Sequence, residues 1–198
     1  MIDPLLGARY FMSETDSSRL PAAEAEVTFV GRSNVGKSSL ICALCQNKTL
    51  ARVSKTPGRT QAINVYETAR GRWLVDLPGY GYAEATKKLK EYWPEMIRGY
   101  LSGRPNLKMV FVLVDAERGV GPLDLEMLHG LRETGVPACI VATKVDRLGS
   151  SRRLELRAAF AGTLGLASED IHWVSAKKTD GMRGLRQEVL TALGFQRG

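Results

Sequence analysis

The residues GRSNVGKSS, Gly31 to Ser39, follow a short apolar run and could do phosphate chemistry. The spacing Gly31-x4-Gly36-Lys37-Ser38 suits a loop whose main-chain amides point inward at a phosphate group. In such a loop Lys37 reaches the outer phosphates and the Ser38 hydroxyl ligates magnesium, while the helix expected to begin near Lys37 adds its positive end. The pattern predicts a phosphate-binding loop; the alternative is a glycine-rich turn without a ligand.

A carboxylate follows a second apolar run. Trp73-Leu74-Val75 ends in Asp76-Leu77-Pro78-Gly79. Beside a phosphate-binding loop, an aspartate at a strand end can hold magnesium through water. Gly79 can bring its main-chain amide close to a terminal phosphate, because no side chain obstructs the approach. Taken alone, the same residues are also typical of a solvated aspartate before a Pro-Gly turn.

Two further strand ends favour recognition of a guanine base. The run Val141-Ala142 continues into Thr143-Lys144-Val145-Asp146. A carboxylate there can accept hydrogen bonds from N1–H and the 2-amino group of guanine, whereas adenine would leave it desolvated and unpaired. The Lys144 stem is expected to lie over the base and the loop. The last strand ends in Val174-Ser175-Ala176, whose small side chains and amides can meet the guanine carbonyl oxygen.

These strand ends can form one site only if the fold brings them together. Apolar runs typical of strands alternate with segments of helical periodicity. Strands are expected at 27–30, 63–68, 73–77, 109–115, 138–143 and 171–174, and helices at 37–46, 86–102, 122–134, 150–163 and 181–194. The alternation predicts an α/β fold of three layers, with a mostly parallel six-stranded sheet flanked by helices. We expect an N-terminal arm over residues 1–24 and one domain over 25–198.

Composition narrows the class of protein. The 198 residues carry a net charge of +7, which favours a polyanionic partner such as nucleic acid. No apolar run approaches the length of a membrane span, and the first residues lack the pattern of a secretory signal. Cys42 and Cys45 form a C-x2-C pair, but zinc would want a second pair or nearby histidines. Buried thiols in a reducing cytoplasm are the favoured interpretation.

The motifs together resemble one family. Their order and spacing are those of the five guanine-nucleotide motifs of small GTPases, at Gly31–Ser38, Thr60, Asp76–Gly79, Thr143–Asp146 and Val174–Ala176. In detail, GRSNVGKSSL, SKTPGRTQ, DLPGYGYA, TKVD and VSAKK resemble the bacterial EngB (YihA/YsxC) GTPases of the TrmE-Era-EngA-EngB branch. The resemblance covers about residues 7 to 195, and DLPGYGYA together with SKTPGRTQ is highly specific.

This resemblance implies a Ras-like P-loop GTPase domain in a cytoplasmic, monomeric protein that hydrolyses GTP to GDP and phosphate. It implies a nucleotide switch in assembly of the large ribosomal subunit, needed for normal cell division and septation. The expected partners are that subunit or its precursor and its rRNA, with no membrane. The expected cofactor is Mg²⁺, held by Ser38 and Thr60 and, through water, by Asp76.

The residues that would contact GTP are carried over by position from the family's motifs. They are Gly31, Arg32, Ser33, Asn34, Val35, Gly36, Lys37, Ser38, Gly58, Arg59, Thr60, Gln61, Ala62, Asp76, Leu77, Pro78, Gly79, Thr143, Lys144, Val145, Asp146, Val174, Ser175 and Ala176. Residues 58–62 would form the first switch, and Asp76–Gly79 would lead into the second.

Two positions depart from the general GTPase pattern. Thr143 stands where many GTPases have asparagine, a variant that looks normal for EngB proteins and leaves Asp146 intact. Tyr80 follows Gly79 where many GTPases have a water-positioning glutamine. Slow intrinsic hydrolysis is therefore expected, with Lys37 stabilising charge on the phosphates and no general base assigned.

Several alternatives stay open at the level of sequence. Asn34 either helps to bind K⁺ near the bridge between the β- and γ-phosphates, as in the TrmE-like branch, or simply shapes the loop. The alternative function is a nucleotide-regulated binding module in which hydrolysis is negligible and GTP stabilises one conformation. A P-loop kinase is disfavoured by Asp146 and by the lack of an evident lid or acceptor site.

Overall fold

Strands and helices alternate along the chain, as the apolar pattern predicts. A computed structural model describes residues 3–51, 62–81 and 87–195, with the main chain alone at Arg70 and at 87–94. The strands are β1 (Arg9–Glu14), β2 (Ala25–Gly31), β3 (Ile63–Glu67), β4 (Arg72–Asp76), β5 (Leu107–Asp115), β6 (Ala138–Thr143) and β7 (Ile171–Trp173). The helices are α1 (Lys37–Leu44), α2 (Lys87–Gly103), α3 (Pro122–Thr134), α4 (Ser150–Leu164) and α5 (Met182–Ala192).

The strand β1 is not predicted by the sequence. It lies within the expected N-terminal arm and pairs antiparallel with β3 at the edge of the sheet. Its apolar alternation is weak, because the register shifts between Tyr10 and Met12 and because Tyr10 and Phe11 stay exposed. The described sheet therefore has seven strands, in the order β1-β3-β4-β2-β5-β6-β7, and the predicted count of six is wrong.

The predicted fold class, α/β with three layers, is confirmed. The central strands β4, β2, β5, β6 and β7 run parallel, while β3 is antiparallel to both of its neighbours. Along β5, Val110 and Val112 face one core, and Phe111 and Leu113 face the other. The first core is covered by α2, α3 and α4, and the second by α1 and α5. Among the described residues, no helix is long and apolar enough to cross a bilayer.

The two cysteines of the C-x2-C pair lie at the inner side of α1. Cys42 is 7% exposed and Cys45 is 1% exposed, and both are free thiols. Cys42 Sγ accepts a hydrogen bond from the main-chain N–H of Ala51 at 3.4 Å. Burial raises the pKa of Cys45 to about 12, which keeps this thiol protonated. The prediction of buried thiols is confirmed.

A buried ionic cluster fastens the end of α2 to the sheet. Glu26 of β2 is fully buried and pairs with Arg104, which follows α2. The Tyr100 hydroxyl donates to Glu26 Oε2 at 2.8 Å. Arg104 also donates to the main-chain carbonyls of Leu20 and Pro21. Because leaving a buried carboxylate unpaired is costly, this cluster fixes the end of α2 at the amino end of β2.

The register of the sheet brings the polar strand ends together. Phe29 of β2 lies opposite Asp76 at the end of β4, and Gly31 follows two residues later. Asp115 at the end of β5 lies opposite Thr143 at the end of β6. Because these strands are parallel, their carboxyl ends share one edge, which is where open α/β sheets bind ligands.

Candidate nucleotide-binding site

The loop between β2 and α1 is built around two glycines. A Cβ at Gly31 would lie 2.7 Å from the Leu113 carbonyl oxygen and 2.8 Å from Val35 Cγ1, so only glycine fits there. Gly36 has a φ of 107°, a conformation that strains any residue with a side chain. This tight turn presents the N-terminus of α1 to the edge of the sheet, where its free amides favour an anion.

Lys37 and Asp76 are buried charges at the centre of this edge. Their side chains are 8% and 1% exposed, with Lys37 Nζ 4.0 Å from Asp76 Oδ1. The Ser38 hydroxyl donates to Asp76 Oδ2 at 3.0 Å, whereas buried Asp76 Oδ1 has no hydrogen-bond partner among the described residues. Burial lowers the pKa of Lys37 and raises that of Asp76, because it disfavours both charges.

This arrangement fits a metal–phosphate group. An unpaired carboxylate oxygen beside a hydroxyl offers the hard oxygen ligands that Mg²⁺ prefers, directly or through water. The ammonium of Lys37 suits a phosphate oxygen, since it is buried and, among the described residues, pairs with the carboxylate of Asp76 alone. A ligand that carries both a divalent cation and phosphates would neutralise both buried groups.

Gly79 and Tyr80 lie directly against the loop. A Cβ at Gly79 would be 3.0 Å from Ser33 N and 3.2 Å from Lys37 Nζ, so a side chain here would crowd the loop. The Tyr80 N–H donates to the Gly31 carbonyl at 3.2 Å, and the Ser33 N–H donates to the Tyr80 carbonyl at 2.8 Å. The Tyr80 ring turns towards α3, where its hydroxyl donates to Asp124 Oδ1 at 2.7 Å. The phenol is therefore engaged with α3, away from the position of a glutamine that would orient water.

The same edge of the sheet continues to the carboxyl ends of β6 and β7. We call this edge the strand-end cleft, with a phosphate end at Lys37 and Asp76 and a base end at Asp146. The Ser175 hydroxyl donates to Asp146 Oδ1 at 2.6 Å, and this hydrogen bond lowers the pKa of Asp146. The carboxylate is therefore ionised at neutral pH and can act only as an acceptor. A cavity of about 500 Å³ opens beside it, within the range of small-molecule sites. Its lining includes Val35, Gly36, Ser39, Leu40, Thr143, Lys144, Asp146, Arg147, Val174, Ala176, Lys177 and Lys178.

Lys144 joins this base end of the cleft to the loop. Its φ is 60°, and its Nζ donates to the Asn34 carbonyl at 2.6 Å and to Asp115 Oδ2 at 2.7 Å. The neighbouring Thr143 hydroxyl donates to the Val35 carbonyl at 2.8 Å. The Lys144 stem thus lies over the loop as expected, and threonine at 143 supplies a bond that holds the loop to β6.

Asp115 is a residue that the sequence reasoning missed. Burial would raise its pKa, but the hydrogen bond and the charge of Lys144 and the amides of Glu117 and Arg118 outweigh burial, so the pKa is lowered. A signal for it exists in the sequence, because Asp115 ends an apolar strand just as Asp76 does. No motif is assigned to it from the sequence, and its partner is 29 residues away.

The remaining predicted contacts fall into two groups. Gly58, Arg59, Gln61 and the predicted Mg²⁺ ligand Thr60 lie outside the described residues. Among the others, Asn34 is exposed with a φ of 65°, and Ala62 immediately precedes β3. The remaining residues line the strand ends or the loop, namely Arg32, Leu77, Pro78, Val145, Val174 and Ala176.

Known proteins resemble this chain along most of its length. Residues 26–144 match the family described as 50S ribosome-binding GTPase. The probable GTP-binding protein EngB of Cereibacter sphaeroides is 45% identical over 86% of this chain and 80% of its own. The probable GTP-binding protein EngB of Geobacter metallireducens is 42% identical over 94% and 93%. A crystal structure of a probable GTP-binding protein EngB is 27% identical, covers 86% of this chain and 99% of its own, and superimposes with a TM-score of 0.71.

The fold agrees with that of the EngB structure and is the Ras-like GTPase fold. Proteins of the GTPase family bind GTP and GDP and generally use Mg²⁺. The chain therefore belongs to the EngB family of GTP-binding proteins, and it is a GTPase.

Proposed function

We propose that this protein binds Mg²⁺ and GTP in the strand-end cleft and hydrolyses GTP to act as a switch in assembly of the large ribosomal subunit. The observation that carries the proposal is buried Asp76 Oδ1, beside Lys37 and Ser38, which has no hydrogen-bond partner in the part of the chain that the structure describes. The ionised Asp146 lies on the same edge of the sheet. One end suits a metal–phosphate group and the other suits a base with two donors.

Guanine is the base that this cleft would select. The Ser175 hydroxyl holds Asp146 at 2.6 Å and favours its ionised form, so the side chain accepts and cannot donate. Guanine offers two donors to such a group, and adenine offers none in the same place. Val174, Ser175 and Ala176 would meet the carbonyl oxygen of the base.

At the phosphate end, each residue has a separate task. Lys37 would stabilise negative charge on the outer phosphates, and Ser38 with Asp76 would hold the metal, joined by Thr60. When bound, Mg²⁺ supplies positive charge to the phosphate oxygens as the bond to the γ-phosphate breaks. Gly79 would donate its amide to the γ-phosphate, since its main chain lies against Ser33 and Lys37.

Intrinsic hydrolysis should be slow. The Tyr80 phenol is hydrogen-bonded to Asp124 and buried, so it does not orient an attacking water. We assign no general base, and the rate is expected to depend on charge stabilisation alone until a partner completes the site.

The ribosomal role is supported by the match to 50S ribosome-binding GTPases and by the net charge of +7. We do not propose the arginines near the base end as RNA contacts, because the exposed Arg147 and Arg152 and the half-buried Arg153 already have acidic partners. Arg147 pairs with Glu117, and Arg152 pairs with Glu155. We propose action as a cytoplasmic monomer on the large subunit or its precursor, and a division and septation defect as the indirect result of its loss.

Co-sedimentation with purified large subunits tests the switch. Binding should be tighter with a non-hydrolysable GTP analogue than with GDP, and should weaken as salt rises because phosphate contacts release counterions. The variant Asp146→Asn is a matched control. Its binding to subunits should lose the dependence on guanosine nucleotides and regain a nucleotide dependence with the corresponding non-hydrolysable xanthosine triphosphate analogue. Binding that ignores both nucleotide and salt would refute the proposal.

Multiple-turnover phosphate release distinguishes the enzyme switch from the binding module with negligible hydrolysis. Release should be slow with the protein alone and faster with large subunits present. Turnover that stays at the uncatalysed level with and without subunits, together with nucleotide-dependent co-sedimentation, would favour the binding module. A profile of ribosomal subunits after depletion of the protein then tests the assembly role, with a deficit of large subunits expected.

A further inference from the structure

We infer that Tyr80 and Asp124 form a positioning pair that holds Gly79 against the phosphate end of the cleft, and so sets the preference for GTP over GDP. The inference rests on the proposed function in one respect, namely that Gly79 meets the γ-phosphate. It gives a role to the residue that stands where many GTPases carry glutamine.

Both residues of the pair are buried, and the hydrogen bond between them is short. Tyr80 is 5% exposed, Asp124 is fully buried, and the phenol donates to Asp124 Oδ1 at 2.7 Å. Burial raises the pKa of Tyr80 far above its usual value, and Asp124 raises it further, so the phenol keeps its proton. A buried bond from a hydroxyl to a carboxylate is among the stronger neutral-to-charged hydrogen bonds in proteins.

Asp124 cannot turn to follow Tyr80 without breaking a second bond. Its Oδ2 accepts the Gly121 N–H at 2.9 Å and so fixes the start of α3. The chain after Tyr80 packs on the same helix, because a Cβ at Gly81 would lie 2.9 Å from Leu123 Cδ1. The phenol is therefore anchored to a helix whose position is set by the core, through Leu131 among others.

The main chain of Tyr80 is held from the opposite side by the loop. Its N–H and carbonyl pair with Gly31 and Ser33 at 3.2 and 2.8 Å. Gly79 directly precedes Tyr80, and its carbonyl accepts a hydrogen bond from the Ser33 hydroxyl at 3.4 Å. Without the phenol–carboxylate bond, the hydrogen bonds described between Tyr80 and the loop would have to position Gly79.

The expected consequence is specific to the γ-phosphate. A contact from the Gly79 amide exists with GTP and is absent with GDP, so loosening Gly79 lowers affinity for GTP alone. Loss of a buried hydrogen bond to a charged group changes an equilibrium by roughly ten- to a hundredfold. We expect about three- to tenfold of this at the γ-phosphate contact, because the loop still holds the main chain of Tyr80. Guanine recognition at Asp146 should be unaffected.

Tyr80→Phe is the principal test. Affinities for GDP and for a non-hydrolysable GTP analogue are measured by titration of fluorescent nucleotides in Mg²⁺, together with kcat and KM for GTP. The variant should bind the analogue about three- to tenfold more weakly, keep its GDP affinity and show a lower kcat. Asp124→Asn should shift the ratio in the same direction, because one acceptor then serves two donors. The double variant should add little, since both changes remove one bond.

Tyr100→Phe is the matched control. It removes another buried hydrogen bond from a tyrosine to a carboxylate, at 2.8 Å to Glu26, near the amino end of β2 and away from the cleft. Thermal unfolding should show a similar loss of stability in both tyrosine variants, with the nucleotide ratio changed only in Tyr80→Phe. If Tyr80→Phe does not fold, Asp124→Asn carries the same comparison.

The outcomes separate this inference from the proposed function. A wild-type protein that prefers the GTP analogue, with an unchanged ratio in Tyr80→Phe and Asp124→Asn, would overturn the positioning pair alone. Equal losses for both nucleotides would also overturn it, because they indicate general damage to the cleft. Co-sedimentation of the wild-type protein that does not depend on the nucleotide would overturn the proposed switch, whereas the positioning pair is decided by the change in affinity ratio between the wild type and the two variants.

Discussion

The base end and the phosphate end of the cleft differ in how far the protein satisfies its own polar groups. At the base end, Ser175 donates to Asp146, and Lys144 is bonded to both Asn34 and Asp115. At the phosphate end, Asp76 Oδ1 is buried without a hydrogen-bond partner among the described residues, and Lys37 lies 4.0 Å from it. The first region is complete without a nucleotide, whereas the second is completed by what binds there.

This difference has an energetic meaning. An unsatisfied buried group costs about 1–3 kcal/mol, so a ligand that supplies a cation and phosphates relieves a cost that the protein carries when empty. At the base end, the side chains of Asp146 and Lys144 already have hydrogen-bond partners, so this end acts as a fixed template. We therefore expect changes at the base end to affect GDP and GTP equally, and changes at the phosphate end to depend on Mg²⁺ or the γ-phosphate.

The largest effect is expected for Asp146→Asn. The amide presents an NH₂ group to the guanine 2-amino group, so affinity for both GTP and GDP should fall by about 2 kcal/mol or more, roughly 30-fold. Xanthosine nucleotides should gain relative to guanosine nucleotides. Titration with all four nucleotides checks this.

The same titration also tests whether the base end acts independently of the phosphate end. Equal losses for GDP and GTP indicate that the base end acts independently of the γ-phosphate. A loss confined to GTP would contradict a fixed base end, and unchanged GTP affinity would remove the assignment of Asp146.

Ser38→Ala probes the phosphate end. The variant loses a hydroxyl ligand of Mg²⁺ and a donor to Asp76 Oδ2, which is 3.0 Å away. The gain in nucleotide affinity on adding Mg²⁺ should fall by about tenfold, or about 1.4 kcal/mol, while affinity in EDTA changes little. Ser38→Thr is the control, because it keeps the hydroxyl and should keep the Mg²⁺ dependence. An unchanged Mg²⁺ dependence in Ser38→Ala would contradict the ligand role.

Much of this contrast can be foreseen from the sequence, and some of it cannot. The loop from Gly31 and the strand ends at Asp76 and Asp146 are local patterns, because a ligand-binding turn must follow a buried strand within a few residues. Asp115 was missed because its partner Lys144 is distant in sequence and the bond forms only when β5 and β6 pair. The Tyr80 bond to Asp124 is likewise a product of tertiary packing, since nothing in the local sequence links the two.

The edge strand β1 likewise depends on residues that are distant in sequence. β1 is stabilised by pairing with β3 and by contacts such as that of Phe11 with Trp73, whose ring centroids are 5.6 Å apart. Its own residues are mostly exposed and carry little periodicity. Buried strands are evident from their composition, while an exposed edge strand depends on its neighbour.

A smaller effect is expected for Lys144→Met, which keeps the stem and removes the charge. The Asn34 carbonyl and Asp115 lose a charged donor, so stability should fall by about 1–2 kcal/mol at neutral pH. The ratio of GTP to GDP affinity should not change, because the base end serves both nucleotides. Chemical denaturation and nucleotide titration test the two statements, and a changed ratio would contradict the second.

The pH dependence of that loss has a defined sign. The pKa of Asp115 is lowered in the folded protein, so its contribution to stability is present above the unfolded pKa near 4. That contribution is lost as pH falls through the lowered folded pKa. The stability difference between wild type and Lys144→Met should therefore be constant above about pH 5 and shrink below about pH 4. A difference that grows in acid would show that Asp115 is not the partner that matters.

The smallest expected effect concerns a monovalent cation at the phosphate end. Asn34 is exposed in the loop with a φ of 65°, and its carbonyl is already bonded to Lys144, so its side-chain oxygen is the group available for K⁺. A cation held there would add positive charge near the breaking bond and partly replace the missing glutamine. Hydrolysis should be about threefold faster in K⁺ than in Na⁺ at equal ionic strength, or about 0.6 kcal/mol in the barrier. Asn34→Gly tolerates the same φ and lacks the oxygen, so it should hydrolyse GTP equally in both salts. Identical rates for the wild-type protein would remove K⁺ from the site and leave Asn34 as a residue that shapes the loop.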